Sequence, residues 1–400
     1  MTQVLTEDPA RTGAAAVATL IRERRVDPVL QPIVDLATGA VVGVEALARG
    51  PAGTDLERPD QLFAAATRAG LLGPLDMLCA ERALEAALEM PRKPPLVFLN
   101  AEPAALNQPV SERLMRLLLS GLPFRVVTEF TERALSTVPA ALLNIAGQSQ
   151  ELGNGIALDD VGADPMSLAF LPFVDPEVIK LDMHLLRNPS AAATAEVCAV
   201  VSATARRAGA KIIAEGIETA ADVATARALG ADWGQGWHFG RPARPADLRL
   251  STIATETGLR ASRPGLHRPV GSPYEVALSS GAHVIDEPAA RRALEQVATA
   301  VHGRPHVVVL GSYCSPDALA QWQPQADQVI QQALYTAVLE PGGDEPFPGE
   351  SCMIVMTPHH SVALCHRTGG TVLRTEDPAA VASIGRVVLQ RLTAASLPAS

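Results

Sequence analysis

Seven apolar runs in the first 240 residues each end in a group that can bind a cation, donate a hydrogen bond or move a proton. VVGVEALAR ends at Glu45 and Arg49, LVFLN at Asn100, and RVVTEFTE at Glu129 and Glu132. IALDDVG carries Asp159 and Asp160, VIKLD carries Lys180 and Asp182, KIIAEGIE carries Glu215 and Glu218, and DWGQGW centres on Gln235. Brought together, Glu45, Glu129, Asp159, Asp160 and Glu215 could not all stay ionised without cations, because like charges raise one another's pKa. Asn100 and Gln235 add neutral oxygens. An all-oxygen set suits Mg²⁺ or Mn²⁺, whereas Zn²⁺ takes His or Cys. Two divalent ions and Lys180 would set five positive charges against five negative ones. Two ions about 4 Å apart are a device for phosphodiester hydrolysis: they lower the pKa of a water, aim it at phosphorus and neutralise the leaving oxygen.

For this chemistry the runs must converge. Four to six apolar residues in a row mark a strand buried on both faces. A polar residue at the end of run after run points to the carboxyl-end face of a parallel β/α barrel. VLQPIV at 29–34 is separated from VVGVEAL only by DLATGA, too short for a helical crossover, so these two strands are expected to pair antiparallel. Helices are expected over 10–25, 76–89 and 191–208, with Ser111 capping another and Thr219 with Asp222 forming a capping box. The expected fold is α/β: a modified (β/α)8 TIM-like barrel with an antiparallel first strand, plus a smaller C-terminal α+β domain. The expected boundaries are a helical extension over 1–26, the barrel over 27–248, a Pro/Gly/Ser-rich linker over 249–275, and the α+β unit over 276–396. In that unit, strands are expected at HVVVLGS and near 334–339, 352–357 and 361–366, among helices at 288–302, 316–333 and 378–394.

The net charge of −10 opposes binding to polymeric nucleic acid, which needs a basic footprint, but not a small phosphate ligand held through metal ions. MTQVLTEDPARTG lacks the basic-then-apolar pattern of a signal peptide, and no apolar stretch approaches the roughly 20 residues that span a bilayer. Cys79, Cys198, Cys314, Cys352 and Cys365 are odd in number without a CxxC, which reads as reduced thiols. A soluble cytoplasmic protein, with no membrane partner, is the expectation.

EALAR at 45–49 resembles the signature of EAL domains, the cyclic di-GMP phosphodiesterases. QPIVDLATGAVVGVEALAR, the ExxE of TEFTE, LDD, KLD, AEGIET and QGWHFGRP follow in that family's order over roughly residues 27–248. The resemblance implies metal ligands Glu45, Asn100, Glu129, Asp159 and Asp160, with Gln235 completing the metal set. It implies catalytic roles for Lys180 and for Glu215 as base or orienter of the water, and Glu132 as anchor of the loop after the aspartates. It implies Gln31, Leu47 and Arg49 at the substrate, cyclic di-GMP as substrate, pGpG as product, and a homodimer. DDVGADPMSL departs from the family: Val161 replaces an aromatic residue, Asp164 a glycine and Pro165 a second aromatic. The departure puts metal affinity and turnover in question. Residues 276–395 weakly resemble DICT-type sensory domains, which implies an unknown signal regulating the barrel.

Beside these stand plainer readings. Asp182 and Glu218 are expected to be structural. Cys352, His359, His360, Cys365 and His366 form a group that fits no zinc spacing and reads as ordinary strand residues. Trp233, Trp237 and Trp322 read as packing, and PGGDEPFPGE as a solvent loop. The leading function is a metal-dependent phosphodiesterase. Its competitors are a non-catalytic cyclic di-GMP receptor, favoured only by the altered loop, and a protein-interaction scaffold.

Overall fold

A computed structural model of the chain describes residues 9–339 and 347–392. Most of the 341–350 loop and the side chains of Glu132 and Trp322 lie outside the described residues. Eight strands close a barrel: β1 (Val29–Asp35), β2 (Val41–Leu47), β3 (Leu96–Ala101), β4 (Arg125–Thr131), β5 (Gly155–Val161), β6 (Val178–Leu181), β7 (Lys211–Ala214) and β8 (Trp233–Gln235). β1 runs antiparallel to both β2 and β8, and the other neighbours are parallel. The short 36–40 connection leaves β1 no other way to return.

Period-two alternation sorts the barrel interior into layers. Ile33, Phe98, Val127, Ala157, Val178, Ile213 and Trp233 form one apolar cluster inside it. Two residues further toward the carboxyl ends stand Asn100, Glu129, Asp159, Lys180, Glu215 and Gln235, on the same face of their strands. Gln31 occupies the matching place on reversed β1, directly opposite Glu45 of β2. Gly43, two before Glu45, makes room for this layer: a Cβ there would meet Leu96 Cβ at 2.9 Å and the Phe98 ring at 3.0 Å. Each fully buried Phe or Ile contributes about 1.5–3 kcal/mol.

Helices cover the outside. Pro9–Arg22 overlaps the expected first helix and stops three residues short of its expected end, Leu72–Glu89 covers the second expected span, and Ala192–Ala208 matches the third to one residue. Ser111 accepts the Leu114 N–H, and Thr219 with Asp222 forms the capping box. Among the described residues no helix is long and apolar enough to cross a membrane.

The stretch expected as a linker is packed against the barrel floor. Val41 N donates to Thr252 O at 2.8 Å, and Ala254 and Leu259 pack on the interior cluster. Arg260 reaches Glu177 at 2.9 Å, and Arg263 reaches Asp175 at 2.8 Å. Its Pro and Gly residues shape a strap, and its arginines hold the strap down.

The strap leads to a six-stranded sheet in the order β11-β10-β12-β13-β14-β9. Its strands are β9 (His283–Ile285), β10 (Val308–Ser312), β11 (Tyr335–Leu339), β12 (Glu350–Met356), β13 (Ser361–Arg367) and β14 (Val372–Thr375). β10 and β11 pair in parallel and the rest antiparallel. β9 and β14 are additions to the strands expected from sequence; each is only three or four residues long. Glu287–Val301 packs on one face. On the other face, Pro378–Leu389 lies between the sheet and the Pro165–Val174 helix of the barrel, in one continuous apolar cluster. Gly385 permits that approach, since a Cβ would come within 2.3 Å of the Phe173 ring. Cys352 and Cys365 face each other across β12 and β13, buried; burial pushes the Cys352 thiol up to about 12 and the Cys365 thiol well above its ordinary value.

Candidate metal centre

β5 solves a problem that adjacency poses. Neighbouring residues of a regular strand point to opposite faces, yet the arrangement needs both Asp159 and Asp160 at the mouth. The β5–β6 register shifts between Leu158 and Val161, and Asp160 takes a positive φ of 54°. This irregularity turns both carboxylates toward Glu215: one ligand atom from each of the three lies within 4.8 Å of the other two. Left-handed backbone at a non-glycine residue costs about 1–3 kcal/mol, held here by the surrounding barrel. Asp164, standing where the resembled family has glycine, caps the following helix by accepting the Met166 N–H at 2.7 Å, with Pro165 in the first turn.

Lys180 stands at the centre, 1% exposed. Its Nζ lies 2.9 Å from Glu215, 3.0 Å from both Glu129 and Asp159, and 3.4 Å from Glu45. Glu45 has two further donors: Asn100 Nδ2 at 2.9 Å and Gln235 Nε2 at 2.6 Å. Gln235 Nε2 also reaches Gln31 Oε1 at 3.3 Å, and Gln31 Nε2 donates to Gly240 O at 3.2 Å. Neither oxygen of Glu129 accepts a hydrogen bond in good geometry, although Oε1 is close to the ammonium. Asp159 Oδ1 is buried with the ammonium as its only neighbour of opposite charge, and Gln235 Oε1 is buried without a donor.

The protonation directions follow. Burial opposes ionisation of Glu45, but the Lys180 ammonium and the two amide donors outweigh it and hold this carboxyl below its usual range. Glu129 is driven well above that range by burial and then by the neighbouring Glu45 charge. Burial, with the charges of Asp159 and Glu45, carries Glu215 up to about 8 despite Lys180. Lys180 loses solvation by burial, yet the four surrounding carboxylates raise its pKa well above the ordinary value. One lysine cannot balance Glu45, Glu129, Asp159, Asp160 and Glu215.

Beside this cluster opens a pocket of about 350 Å³, bordered by Leu47, Arg49, Asn100, Phe63 and Asp76. Burial lowers the Arg49 pKa, and its guanidinium donates to Ala48 O at 2.7 Å. The structure thus gathers Glu45, Asn100, Glu129, Asp159, Lys180, Glu215 and Gln235 with Asp160 and Gln31, and sets Leu47 and Arg49 on the adjoining wall. Asp182 and Glu218 stand apart: Asp182 caps a short helix, and Glu218 pairs with Arg187 at 3.3 Å. Asp76 was not singled out in the sequence. It is 6% exposed, and burial pushes its carboxyl up to about 8. The available signal was a lone acid inside the apolar helix segment LGPLDML.

An EAL domain model matches residues 14–242. The chain belongs to the EAL domain family. It is 32% identical over 218 residues to the probable cyclic di-GMP phosphodiesterase PdeB of Escherichia coli, covering 53% of this chain and 41% of that protein. It is 30% identical over 231 residues to the cyclic di-GMP phosphodiesterase PA2567 of Pseudomonas aeruginosa, covering 55% and 39%. The chain thus spans less than half the length of these two curated relatives. Among solved structures, the Xanthomonas citri FimX EAL domain in complex with c-diGMP aligns at a TM-score of 0.55 and 17% identity, over 60% of this chain and 97% of that one. The PaMucR phosphodiesterase, as a c-di-GMP complex, aligns at 0.51 and 24%, over 60% and 100%. At these identities the likeness establishes the fold: an EAL barrel, followed here by an additional sheet.

Proposed function

We propose that this chain is a cyclic di-GMP phosphodiesterase that uses two divalent cations, Mg²⁺ or Mn²⁺, and releases linear pGpG. The observation that carries the reading is the charge imbalance at the mouth: four carboxylates, of Glu45, Glu129, Asp159 and Glu215, share the single Lys180 ammonium, Asp160 lies beside Asp159 and Glu215, and Glu129 Oε2 is buried with no hydrogen-bond donor. The donors are all oxygen, which fits a hard divalent ion. Glu45, Asn100, Glu129, Asp159, Asp160 and Gln235 are the residues that would hold the ions. When bound there, such ions supply an activated water and neutralise charge on the phosphate.

The chain's own residues do the rest. Lys180 keeps the carboxylates gathered, and Gln235 and Asn100 orient Glu45. Glu215, 2.9 Å from Lys180 and beside Asp159 and Asp160, is placed to orient a water or take its proton. Arg49 places a cation on the wall of the adjoining pocket, where a phosphate of the substrate and one base would lie, with Leu47 and Gln31 beside it. A homodimer and a cytoplasmic setting belong to the same proposal and rest on the family resemblance.

Regulation by the C-terminal unit is the second part. Every carbonyl from Pro172 to Asp175, at the end of the Pro165–Val174 helix, is held from outside the barrel. Arg386 donates to Pro172 O at 3.1 Å and Phe173 O at 2.8 Å, His267 Nε2 meets Val174 O at 2.6 Å, and Arg260 donates to Asp175 O at 2.6 Å. At the other end, His306 Nδ1 meets Pro165 O at 2.9 Å. The helix so gripped follows the strand that carries Asp159 and Asp160, after a short turn.

The test is product analysis after incubation of the full chain with cyclic di-GMP and Mg²⁺ or Mn²⁺. The expected result is pGpG, absent with Glu45→Ala. No pGpG with either metal would sink the enzyme reading, and tight binding with intact ligand recovered would replace it with the receptor. For regulation, His306→Ala is expected to change kcat with the fold retained; an unchanged kcat would remove that contact from the account.

A further inference from the structure

The turn that follows Asp160 is tied to the first turn of the Pro165–Val174 helix. We propose that Asp164 and Ser167 are positioning residues that clamp this turn and so hold the Asp160 carboxylate at the metal centre. The proposal rests on the metal-centre reading above. It gives the altered DDVGADPMSL segment a way to serve that centre with its own residues.

The backbone at Asp160 needs holding. Its φ of 54° is unfavourable for a residue with a Cβ. Reversion to regular strand would turn Asp160 to the face opposite Asp159 and out of the mouth. Within the turn, the Ala163 N–H donates to Asp160 O at 3.1 Å, and Val161 bridges to Asp164. Gly162 sits at φ 103° against Leu185, where a Cβ would come within 2.8 Å of Cδ1.

Ser167 joins the two sides of this turn. It is 0% exposed, and its Oγ accepts the Gly162 N–H at 3.2 Å while donating to Asp164 O at 2.7 Å. Asp164 is the other half of the clamp. Its backbone, at φ −125° and ψ 136°, is the extended conformation that a following proline favours and a helix N-cap uses. Its carboxylate accepts the Met166 N–H at 2.7 Å. The cap starts the helix at Pro165, and that start places Ser167 where its hydroxyl reaches Gly162. The far end of the same helix is held by Arg386, His267 and Arg260, so the clamp has a fixed base. Both residues act through Asp160.

Calorimetric titration of the metal-free full chain with Mn²⁺, together with hydrogen exchange at the Gly162 amide, tests the clamp. Ser167→Ala changes no charge. It is expected to weaken Mn²⁺ binding about tenfold, as for a turn that presents Asp160 one-tenth of the time, and to speed Gly162 exchange about tenfold or more. Asp164→Ala is expected to weaken binding about fivefold, and Asp164→Asn, which still caps the helix, to keep the wild-type affinity. Unchanged Mn²⁺ affinity in Ser167→Ala would overturn the proposal, as would an Asp164→Asn variant as weak as Asp164→Ala. If Ser167→Ala does not fold, the two Asp164 variants decide alone. A wild-type chain that binds no Mn²⁺ would sink the metal centre instead; Gly162 exchange unaltered by Ser167→Ala would sink the clamp itself.

Discussion

The two ends of the barrel each bury a glutamate, and they treat it in opposite ways. At the floor, Glu177 is 0% exposed, and both its oxygens accept hydrogen bonds, from Gln150 at 3.1 Å and from the Ile156 N–H at 2.9 Å. Arg260 lies 2.9 Å away and Arg125 3.9 Å. At the mouth, Glu129 is 1% exposed, has no hydrogen bond in good geometry, and shares one ammonium with three other carboxylates. Burial alone therefore does not mark a functional acid. A deficit of countercharge does, because nothing in the chain repays the desolvation and an external cation can.

The largest effect expected from this contrast is a crossed pair of substitutions. Glu129→Gln is expected to lower phosphodiesterase turnover about a hundredfold or more while the metal-free protein melts no lower than wild type, since the change removes repulsion with Glu45. Glu177→Gln should do the reverse. It takes the nearer carboxylate from Arg260, leaving only Asp175 at 3.6 Å, and is expected to cost about 3 kcal/mol in urea unfolding, with turnover of the folded protein within about twofold of wild type. If Glu129→Gln unfolds the chain, or Glu177→Gln silences it while folded, the two ends do not differ in kind.

Cations should sharpen the difference. At a hundredfold excess over its dissociation constant, an ion that binds only the folded state adds about 2.7 kcal/mol. Mn²⁺ or Mg²⁺ is expected to raise the melting temperature of wild type and of Glu177→Gln alike, and chelation to reverse it. Asp159→Asn is expected to abolish the shift. A shift that survives in Asp159→Asn would place the ion elsewhere.

The mouth was far more legible in sequence than the floor. Glu129, Lys180 and Glu215 stood at the ends of apolar runs, which pointed them to the carboxyl-end face of a barrel, and the order of the motifs carried the family. That Asp159 and Asp160 both reach the mouth was not derivable from periodicity, because it depends on the irregular β5–β6 register and on the left-handed backbone of Asp160. At the floor, Pro and Gly between 251 and 275 mimic a free linker. The arginines that make the segment a strap find their partners, Asp175 and Glu177, some 85 residues earlier in the chain, a separation that local pattern does not reach. The two short strands β9 and β14 escaped for a related reason: three or four residues are too few to show a period, and their pairing is tertiary.

The smallest effect belongs to the strap itself. His267 is buried, its Nε2 against Val174 O and its Nδ1 without a partner, which is the arrangement of a neutral imidazole with its proton on Nε2. Burial, aided by the Arg386 charge, lowers its pKa from 6.5 to about 4. The unfolded chain therefore takes up a proton that the folded chain refuses. Stability from this residue is present above pH 6.5 and is lost as pH falls toward 4. Between pH 6.5 and about 5 the loss is about 1.5 kcal/mol. His267→Gln keeps a donor for Val174 O and removes the titration, so its unfolding free energy in urea should depend less on pH over this interval. Equal slopes for the two proteins would show that His267 is solvated, and with it that the strap does not seal the floor.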